Sequence, residues 1–194
     1  MSHFKYLEEK LFIENISVRN VAKRNKTPFY LYSEQQIKNN YLNFEKIFKN
    51  VNPLICFAAK ANTNLTIMRM LGKLGSGADV VSGGELLKAL KAGIKPNKIV
   101  FSGVGKTEEE LKLAIRKKIL LINVESESEA ILINKIGKKI NKIISIGFRI
   151  NPNVDAKTHK KISTGKAENK FGVSIKNFSS FYKKIKKFKN LKIN

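Results

Sequence analysis

The chain has 194 residues, 42% of them hydrophobic, which suits a single domain with its own core. Its one cysteine, Cys56, excludes an internal disulfide, and its two histidines, His3 and His159, are too few to suggest a metal site. No segment approaches the ~20 apolar residues of a membrane helix, so we expect a cytoplasmic protein without a membrane partner.

The net charge of +23 raises the question of a nucleic-acid partner. The 38 lysines and arginines are, however, scattered along the whole chain. Even the densest basic stretch, residues 183–189, keeps apolar residues at helical spacing, as a solvated amphipathic helix would. We therefore expect no specific nucleic-acid binding.

The amino-terminal segment gives the weaker structural signals. Residues 27–32 place a proline ahead of β-forming aromatic residues, which predicts a strand. Ser33 and Gln36 have the spacing of a capping box at the start of a helix. The elements predicted here are a weak strand at 11–13, a short helix capped by Ser17, the strand at 27–32 and a helix that ends near Phe48.

From Pro53 onward, short apolar runs alternate with helical patterns, which predicts parallel strands joined by right-handed crossovers. The predicted strands are residues 54–59, 78–81, 98–102, 120–124 and 143–150. The predicted helices are residues 65–74, 85–92, 108–117 and 127–139. Three helix starts carry the capping-box spacing, at Ser82/Glu85, Thr107/Glu110 and Ser126/Glu129, and three glycines are predicted to end helices, Gly75, Gly77 and Gly93.

The last part of the chain begins with a long polar stretch, residues 151–170, of a length that is usually functional or disordered. A helix is predicted at 175–189, and residues 191–194 have the pattern of another strand beginning.

Lys60 is the leading candidate for chemistry, because it follows the apolar run of the strand at 54–59. The carboxyl ends of parallel strands carry the active sites of α/β folds. A lysine desolvated there can lose its proton at neutral pH and attack an aldehyde to form an imine. Alternatively, only the stem of Lys60 is buried and its ammonium group reaches water.

Asp79 and Arg149 stand at comparable places near the ends of two other strands. A carboxylate beside Val80 and Val81 needs a partner, and Lys60 on the neighbouring strand is the expected one. The three charged groups would form one polar layer at the strand ends. Alternatively, they form an ion-pair network with a purely structural role. Glu85 has a capping role by spacing, Cys56 is expected in the core, and His159 is by default a solvated histidine.

The turn at residues 102–107 is similar to the tail of a phosphate-binding P-loop. That pattern requires a glycine five positions before Gly105, where Val100 stands, so we reject it.

Several stretches resemble the amino-terminal part of the diaminopimelate decarboxylases, which belong to the group IV decarboxylases with an alanine-racemase-like barrel. The resemblance runs from about Pro28 to the last residue. It rests on residues 56–62, 78–86, 98–107, 123–126 and 149–155. The loop segments 157–159, 162–165 and 169–172 favour the diaminopimelate branch over its relatives.

The resemblance implies an α/β fold, the amino-terminal part of a pyridoxal-phosphate-binding (β/α)8 TIM barrel. Residues 28–194 would hold about five complete βα units of the eight, and residues 1–27 would pack with a separate β-domain. By resemblance Lys60 bonds to the cofactor, pyridoxal 5'-phosphate. The other implied site residues are Ala58, Asp79 and Arg149 around the pyridine ring, Glu85 in support behind them, and His159 on a loop that closes over substrate.

The implied function is decarboxylation of meso-2,6-diaminopimelate to L-lysine, by an enzyme that is a homodimer at full length. In the family the groups that grip the phosphate come later along the chain, so these 194 residues are expected to be a truncated portion, inactive alone. The alternatives are an ornithine or arginine decarboxylase or a racemase of the same fold, a non-catalytic pyridoxal-phosphate-binding barrel, and a basic nucleic-acid-binding protein.

Overall fold

The computed structural model describes residues 3–154 and 171–194. The chain forms two compact units, one that ends at Ile55 and one that begins at Cys56. The predicted division between residues 27 and 28 falls inside the first unit, and the packing of residues 1–27 on a β-domain stays a prediction. In the described ranges, no helix combines the length and the apolar character needed to cross a bilayer.

The first unit contains a small antiparallel sheet and two helices. Its elements are β1 (Phe4–Leu7), β2 (Lys10–Ile13), β3 (Ile16–Ser17), α1 (Val18–Arg24) and α2 (Glu34–Ile47). The predicted strand at 11–13 and both predicted helices are confirmed. Strand β1 was not predicted, because all four of its residues are exposed and it has no buried face that would produce a pattern.

The strand predicted at residues 27–32 is wrong. These residues belong to no strand or helix, and the Thr27–Pro28 peptide bond is cis. Tyr30 is 89% exposed, and no strand of the described chain pairs with this segment. The β-forming character of aromatic residues depends on packing against a neighbouring strand, which is lacking here.

Ser33 caps α2, but the side chain of Gln36 does not make the second hydrogen bond of the predicted capping box. The Ser33 hydroxyl accepts a hydrogen bond from the Gln36 amide at 3.0 Å, whereas the Gln36 side chain bonds to Asn40. Glu14 closes the cap instead, accepting from the Ser33 hydroxyl at 2.6 Å and from the Gln35 amide at 2.9 Å. These bonds lower the pKa of Glu14.

The second unit is built on parallel strands. They are β4 (Cys56–Ala58), β5 (Gly77–Val80), β6 (Ile99–Phe101), β7 (Leu121–Val124), β8 (Ile144–Phe148), β9 (Ile150–Asn151), β10 (Val173–Ser174) and β11 (Leu191–Ile193). Six of them form one sheet in the order β11-β8-β7-β6-β5-β4, and β9 pairs with β10. All pairs of the larger sheet are parallel, as the alternating pattern predicted.

Helices join the strands and cover the sheet. They are α3 (Leu65–Lys73), α4 (Gly83–Lys91), α5 (Glu108–Lys117), α6 (Glu127–Lys139) and α7 (Phe178–Ile185). The four helices predicted between residues 65 and 139 are confirmed, and α5 and α6 agree to the residue. The helix predicted at 175–189 is shorter than expected, because residues 175–177 form a 3₁₀ turn and α7 ends at Ile185. The fully buried side chains of the unit include Phe101, Met68, Leu86, Ile99, Leu111, Ile122, Ile133 and Ile146.

The predicted helix caps form at Ser82, Thr107 and Ser126, each of which accepts from the amide three residues later. The reciprocal bond of a capping box is present only for Thr107 and Glu110 among the three. Because α4, α5 and α6 each begin with satisfied amide groups, the strand-to-helix turns at this end of the sheet are well defined.

The hydrogen bonds of Glu110 are expected to make the free energy of unfolding depend on pH. Its carboxylate accepts from the amides of Gly83 and Thr107, which lowers its pKa below the ordinary value of 4.5. A lowered folded-state pKa stabilises the fold above the unfolded value, and the contribution is lost as pH falls through the folded value. We expect Glu110→Gln to weaken the fold at neutral pH and to flatten its loss of stability below about pH 4.5. Urea unfolding of both proteins across this range is the measurement, and parallel pH profiles would contradict it.

Gly77 was predicted to end a helix in the left-handed conformation, as Gly75 and Gly93 do with φ of 105° and 88°. That prediction is wrong for Gly77, which lies inside β5. A Cβ on it would stand 2.2 Å from the Lys98 carbonyl oxygen and 2.8 Å from the Cys56 sulfur. Glycine is therefore required by the close approach of backbone.

Gly77→Ala is expected to cost about 3 kcal/mol in the free energy of unfolding, because the clash involves a backbone atom that cannot rotate away. The matched control is Gly84→Ala, where the nearest atom to the added carbon is the Ser82 hydroxyl at 3.8 Å. Urea denaturation compares the two variants. Equal unfolding midpoints for the two variants would show that the close approach of backbone at Gly77 does not affect stability.

Candidate active site

The candidate residues gather at the carboxyl ends of the parallel strands. Ala58, the last residue of β4, lies opposite Asp79 of β5 in the sheet register. Lys60 follows β4 in a single 3₁₀ turn, Ala59–Ala61, and Arg149 separates β8 from β9. Since parallel strands end at the same edge of a sheet, all four residues lie at the edge where α/β enzymes bind their ligands.

Lys60 is exposed, so the prediction that it is held out of water is wrong for the described chain. It lies beyond the end of β4, and β4 is an edge strand with one neighbour, β5. Within the described residues its ammonium group has no hydrogen bond or ion pair. The amine is therefore accessible to a ligand at the strand ends.

Asp79 is half-buried and finds a partner other than the one predicted. The Ser102 hydroxyl donates to its Oδ1 at 2.6 Å, and the described residues hold no ion pair between Asp79 and Lys60. Asn123 in turn donates its side-chain amide to the Ser102 oxygen at 3.0 Å. A directional chain of hydrogen bonds thus runs across β5, the end of β6 and β7.

Gly147 of β8 completes this row. It lies opposite Asn123 in the register, and a Cβ at this position would stand 2.7 Å from the Asn123 side-chain oxygen. The absence of a side chain at Gly147 leaves room for the Asn123 side-chain oxygen, while the side-chain nitrogen of Asn123 bonds to Ser102.

Arg149 pairs with Glu125, the residue that follows β7. Its Nη1 lies 2.9 Å from Oε1 of Glu125, whose side chain is only 4% exposed. The guanidinium carbon also lies 4.8 Å from the ring centre of Phe171, within the range of a cation–π contact. Arg149 is therefore held by charge on one side and by an aromatic ring on another.

Glu85 contacts backbone rather than another site residue. Its Oε2 accepts from the Val81 amide at 2.8 Å, so it fastens the turn between β5 and α4. That is consistent with support from behind Asp79. His159 lies outside the described residues. Cys56, expected in the core, is only half-buried, and burial raises the pKa of its thiol.

The turn that looks like a P-loop tail has a structural explanation. The Lys106 side chain is 1% exposed, and its ammonium group donates to the Gly103 and Asn123 carbonyls at 2.8 and 2.7 Å and to Glu129 at 2.6 Å. A lysine with its bonds so fully used braces the turn after β6 and is not free to bind a phosphate.

Sequence reasoning missed four polar residues of this edge, Ser102, Lys106, Asn123 and Glu125. Three of them occupy the last or first positions around strand ends, next to motifs that were recognised. The signal that could have revealed them is a polar residue recurring at the end of successive buried strands, which is costly unless the residues bond to one another.

The fold and the strand-end polar edge define a parallel α/β sheet of the kind that forms a barrel with its active site at the carboxyl ends. The family described as pyridoxal-dependent decarboxylase, pyridoxal binding domain, matches residues 34–194. The chain belongs to this family.

Relatives and solved structures agree with this assignment. The chain is 46% identical over 191 residues to the diaminopimelate decarboxylase of Aquifex aeolicus, covering 98% of this chain and 45% of the relative. It is 56% identical over 151 residues to that of Helicobacter pylori strain J99, covering 78% of this chain and 37% of the relative. The chain therefore spans less than half the length of the curated relatives that it matches.

Among solved structures, diaminopimelate decarboxylase from M. jannaschii in complex with L-lysine superimposes with a TM-score of 0.89 at 40% identity, covering 98% of this chain and 46% of that one. The Helicobacter pylori enzyme complexed with L-lysine has a TM-score of 0.87 at 48% identity, covering 90% of this chain and 44% of that one. The predicted fold, the amino-terminal portion of a pyridoxal-phosphate-binding barrel, is confirmed.

Pyridoxal phosphate is the cofactor of the family, and the residues at the strand ends fit such a group. Its aldehyde must react with an accessible amine, and the amine of Lys60 makes no hydrogen bond or ion pair with the described residues. Its ring needs space and fixed polar neighbours, which small Ala58, the hydrogen-bonded Asp79 and the restrained Arg149 offer.

Proposed function

We propose that this chain supplies the cofactor-binding lysine and part of the strand-end surface of a carboxy-lyase that converts meso-2,6-diaminopimelate to L-lysine. The observation that carries the proposal is the exposed amine of Lys60 just beyond the end of β4, close in sequence to Ala58, whose register neighbour is Asp79. The names of the relatives and the L-lysine complexes of two solved homologues support the choice of substrate and product.

In the proposed site Lys60 would hold the cofactor covalently through its side-chain amine. Pyridoxal phosphate, when bound, supplies the electron sink that accepts the electron pair released as carbon dioxide leaves. Asp79, fixed by Ser102, supplies a negative charge at the strand ends, and Arg149, fixed by Glu125, supplies a positive one. Ala58 leaves space between them, and Glu85 holds the turn behind Asp79.

The proposal extends to features that belong to the whole enzyme. His159 would contact the substrate, the complete protein would be a homodimer in the cytoplasm, and the 194-residue chain alone would not turn over. The chain spans 45% of the length of the Aquifex aeolicus relative.

The test is product analysis on a completed enzyme, in which residues 1–194 are joined to the carboxyl-terminal part of the Helicobacter pylori relative. We expect carbon dioxide and L-lysine from meso-diaminopimelate, with ornithine and arginine far poorer substrates. Preference for ornithine or arginine would refute the substrate assignment. Cofactor binding without carbon dioxide from any of the three would favour a non-catalytic pyridoxal-phosphate-binding barrel. Release of carbon dioxide by the 194-residue chain alone would refute its predicted inactivity.

A further inference from the structure

Both carboxylate oxygens of Glu125 accept hydrogen bonds, although its side chain is only 4% exposed. Its Oε1 accepts from the Gly103 amide at 3.0 Å and from Arg149 Nη1 at 2.9 Å. Its Oε2 accepts from the Gly172 amide at 3.0 Å. A carboxylate so deeply buried is costly unless charged and hydrogen-bonded partners compensate, and here three segments of chain provide them.

The backbone of Glu125 is fixed as firmly as its side chain. Its amide donates to Oε2 of Glu129 at 2.8 Å, and Oε1 of Glu129 accepts from Lys106 at 2.6 Å. Lys106 also donates to the carbonyl of Gly103, whose amide bonds to Glu125. The bonds close a ring through Glu125, Gly103, Lys106 and Glu129, so the carboxylate cannot move without breaking several of them.

Arg149 depends on this ring for its position. A Cβ on Gly172 would lie 2.7 Å from the Arg149 carbonyl oxygen and 3.0 Å from its Cγ, so glycine allows the arginine stem to pack there. The Arg149 side chain nevertheless remains 35% exposed. Of the five N–H donors of a guanidinium, the bond to Glu125 uses one, and the other four have no hydrogen bond to a residue that the structure describes.

We propose that Glu125 is a positioning residue, which holds the guanidinium of Arg149 at the cofactor-facing edge and thereby raises the affinity for the anionic cofactor. The inference rests on the function proposed above. Without Glu125, Arg149 would keep its charge but lose its fixed direction, since a cation–π contact with Phe171 does not orient the individual N–H donors as a hydrogen bond does.

The test compares Glu125→Gln with the matched control Glu110→Gln. Both remove a carboxylate that accepts from two backbone amides, but Glu110 binds Gly83 and Thr107 and does not contact Arg149. The first readout is hydrogen exchange of the Arg149 side-chain N–H groups by NMR, which is tractable because Arg149 is one of five arginines in the chain. We expect about tenfold faster exchange in Glu125→Gln and parental exchange in Glu110→Gln. Unchanged exchange in Glu125→Gln would overturn the proposal.

The second readout is the affinity for pyridoxal phosphate in a double-mutant cycle, followed by reduction of the Lys60 adduct. Glu125→Gln is expected to weaken binding about tenfold, but less than about twofold in an Arg149→Gln background, because the two residues act as one unit. Additive losses would overturn the proposal. Binding is measured on the completed enzyme. If that enzyme forms no adduct on Lys60, the proposed function fails, while the exchange measurement still decides whether Glu125 positions Arg149.

Discussion

Replacing Lys60 by alanine is expected to abolish covalent attachment of pyridoxal phosphate and to reduce decarboxylation by the completed enzyme at least about a thousandfold. The amine of Lys60 is the group at the strand ends that is exposed and without a bond among the described residues. Lys106, which pairs with Glu129, cannot replace Lys60, because its ammonium group already makes three short hydrogen bonds. Carbon dioxide release and the visible absorbance of the lysine–cofactor adduct measure the effect.

The matched control is Lys60→Arg, which keeps the positive charge but cannot become a neutral amine at accessible pH. We expect it to be as inactive as Lys60→Ala, because the prediction concerns the nucleophile and not the charge. A second control is Lys88→Ala on α4, whose ammonium group donates to Thr63 and has no proposed role. Parental activity in Lys60→Ala would mean that another lysine holds the cofactor.

Replacing Lys106 by methionine is expected to cost about 3–5 kcal/mol in the free energy of unfolding, the largest stability loss that we predict for a single polar residue. The substitution keeps much of the side-chain volume but leaves Glu129, 11% exposed, without its cation. It also leaves the carbonyls of Gly103 and Asn123 without their donor in a region with little access to water. Urea unfolding at neutral pH measures the loss.

Lys112→Met is the control for Lys106→Met, because Lys112 also forms ion pairs, with Glu108 and Glu109, but on the exposed face of α5. Surface pairs of this kind contribute little, so its unfolding midpoint should stay close to that of the parent. Similar midpoints for the two methionine variants would contradict the importance of the buried network.

The sequence predicted the second unit well because its signals are strong and agree with one another. Each parallel strand is a short apolar run, and α4, α5 and α6 begin at recognisable caps. The first unit was harder to predict. β1 has no buried face, and residues 27–32 have β-forming side chains without a strand to pair with.

The site was predictable as a location but not as a set of contacts. A lysine after one apolar run and an aspartate within the next correctly placed the two residues on neighbouring strands, β4 and β5. The partners were wrong, because sequence spacing does not specify side-chain direction. Asp79 bonds to Ser102 and Arg149 to Glu125, through side chains from other strand ends. Lys60 is exposed in the 3₁₀ turn that follows β4, which the apolar run before it did not indicate.

The central claim is that Lys60, rather than another of the many lysines, bonds to pyridoxal phosphate. The direct measurement is borohydride reduction of the protein with stoichiometric cofactor, followed by mass-spectrometric mapping of every modified lysine, in the parent and in Lys60→Ala. The account predicts that the label concentrates on the peptide that contains residues 56–62 and that this enrichment disappears in the variant. A label spread evenly over the surface lysines, or concentrated on another residue in both proteins, would contradict it.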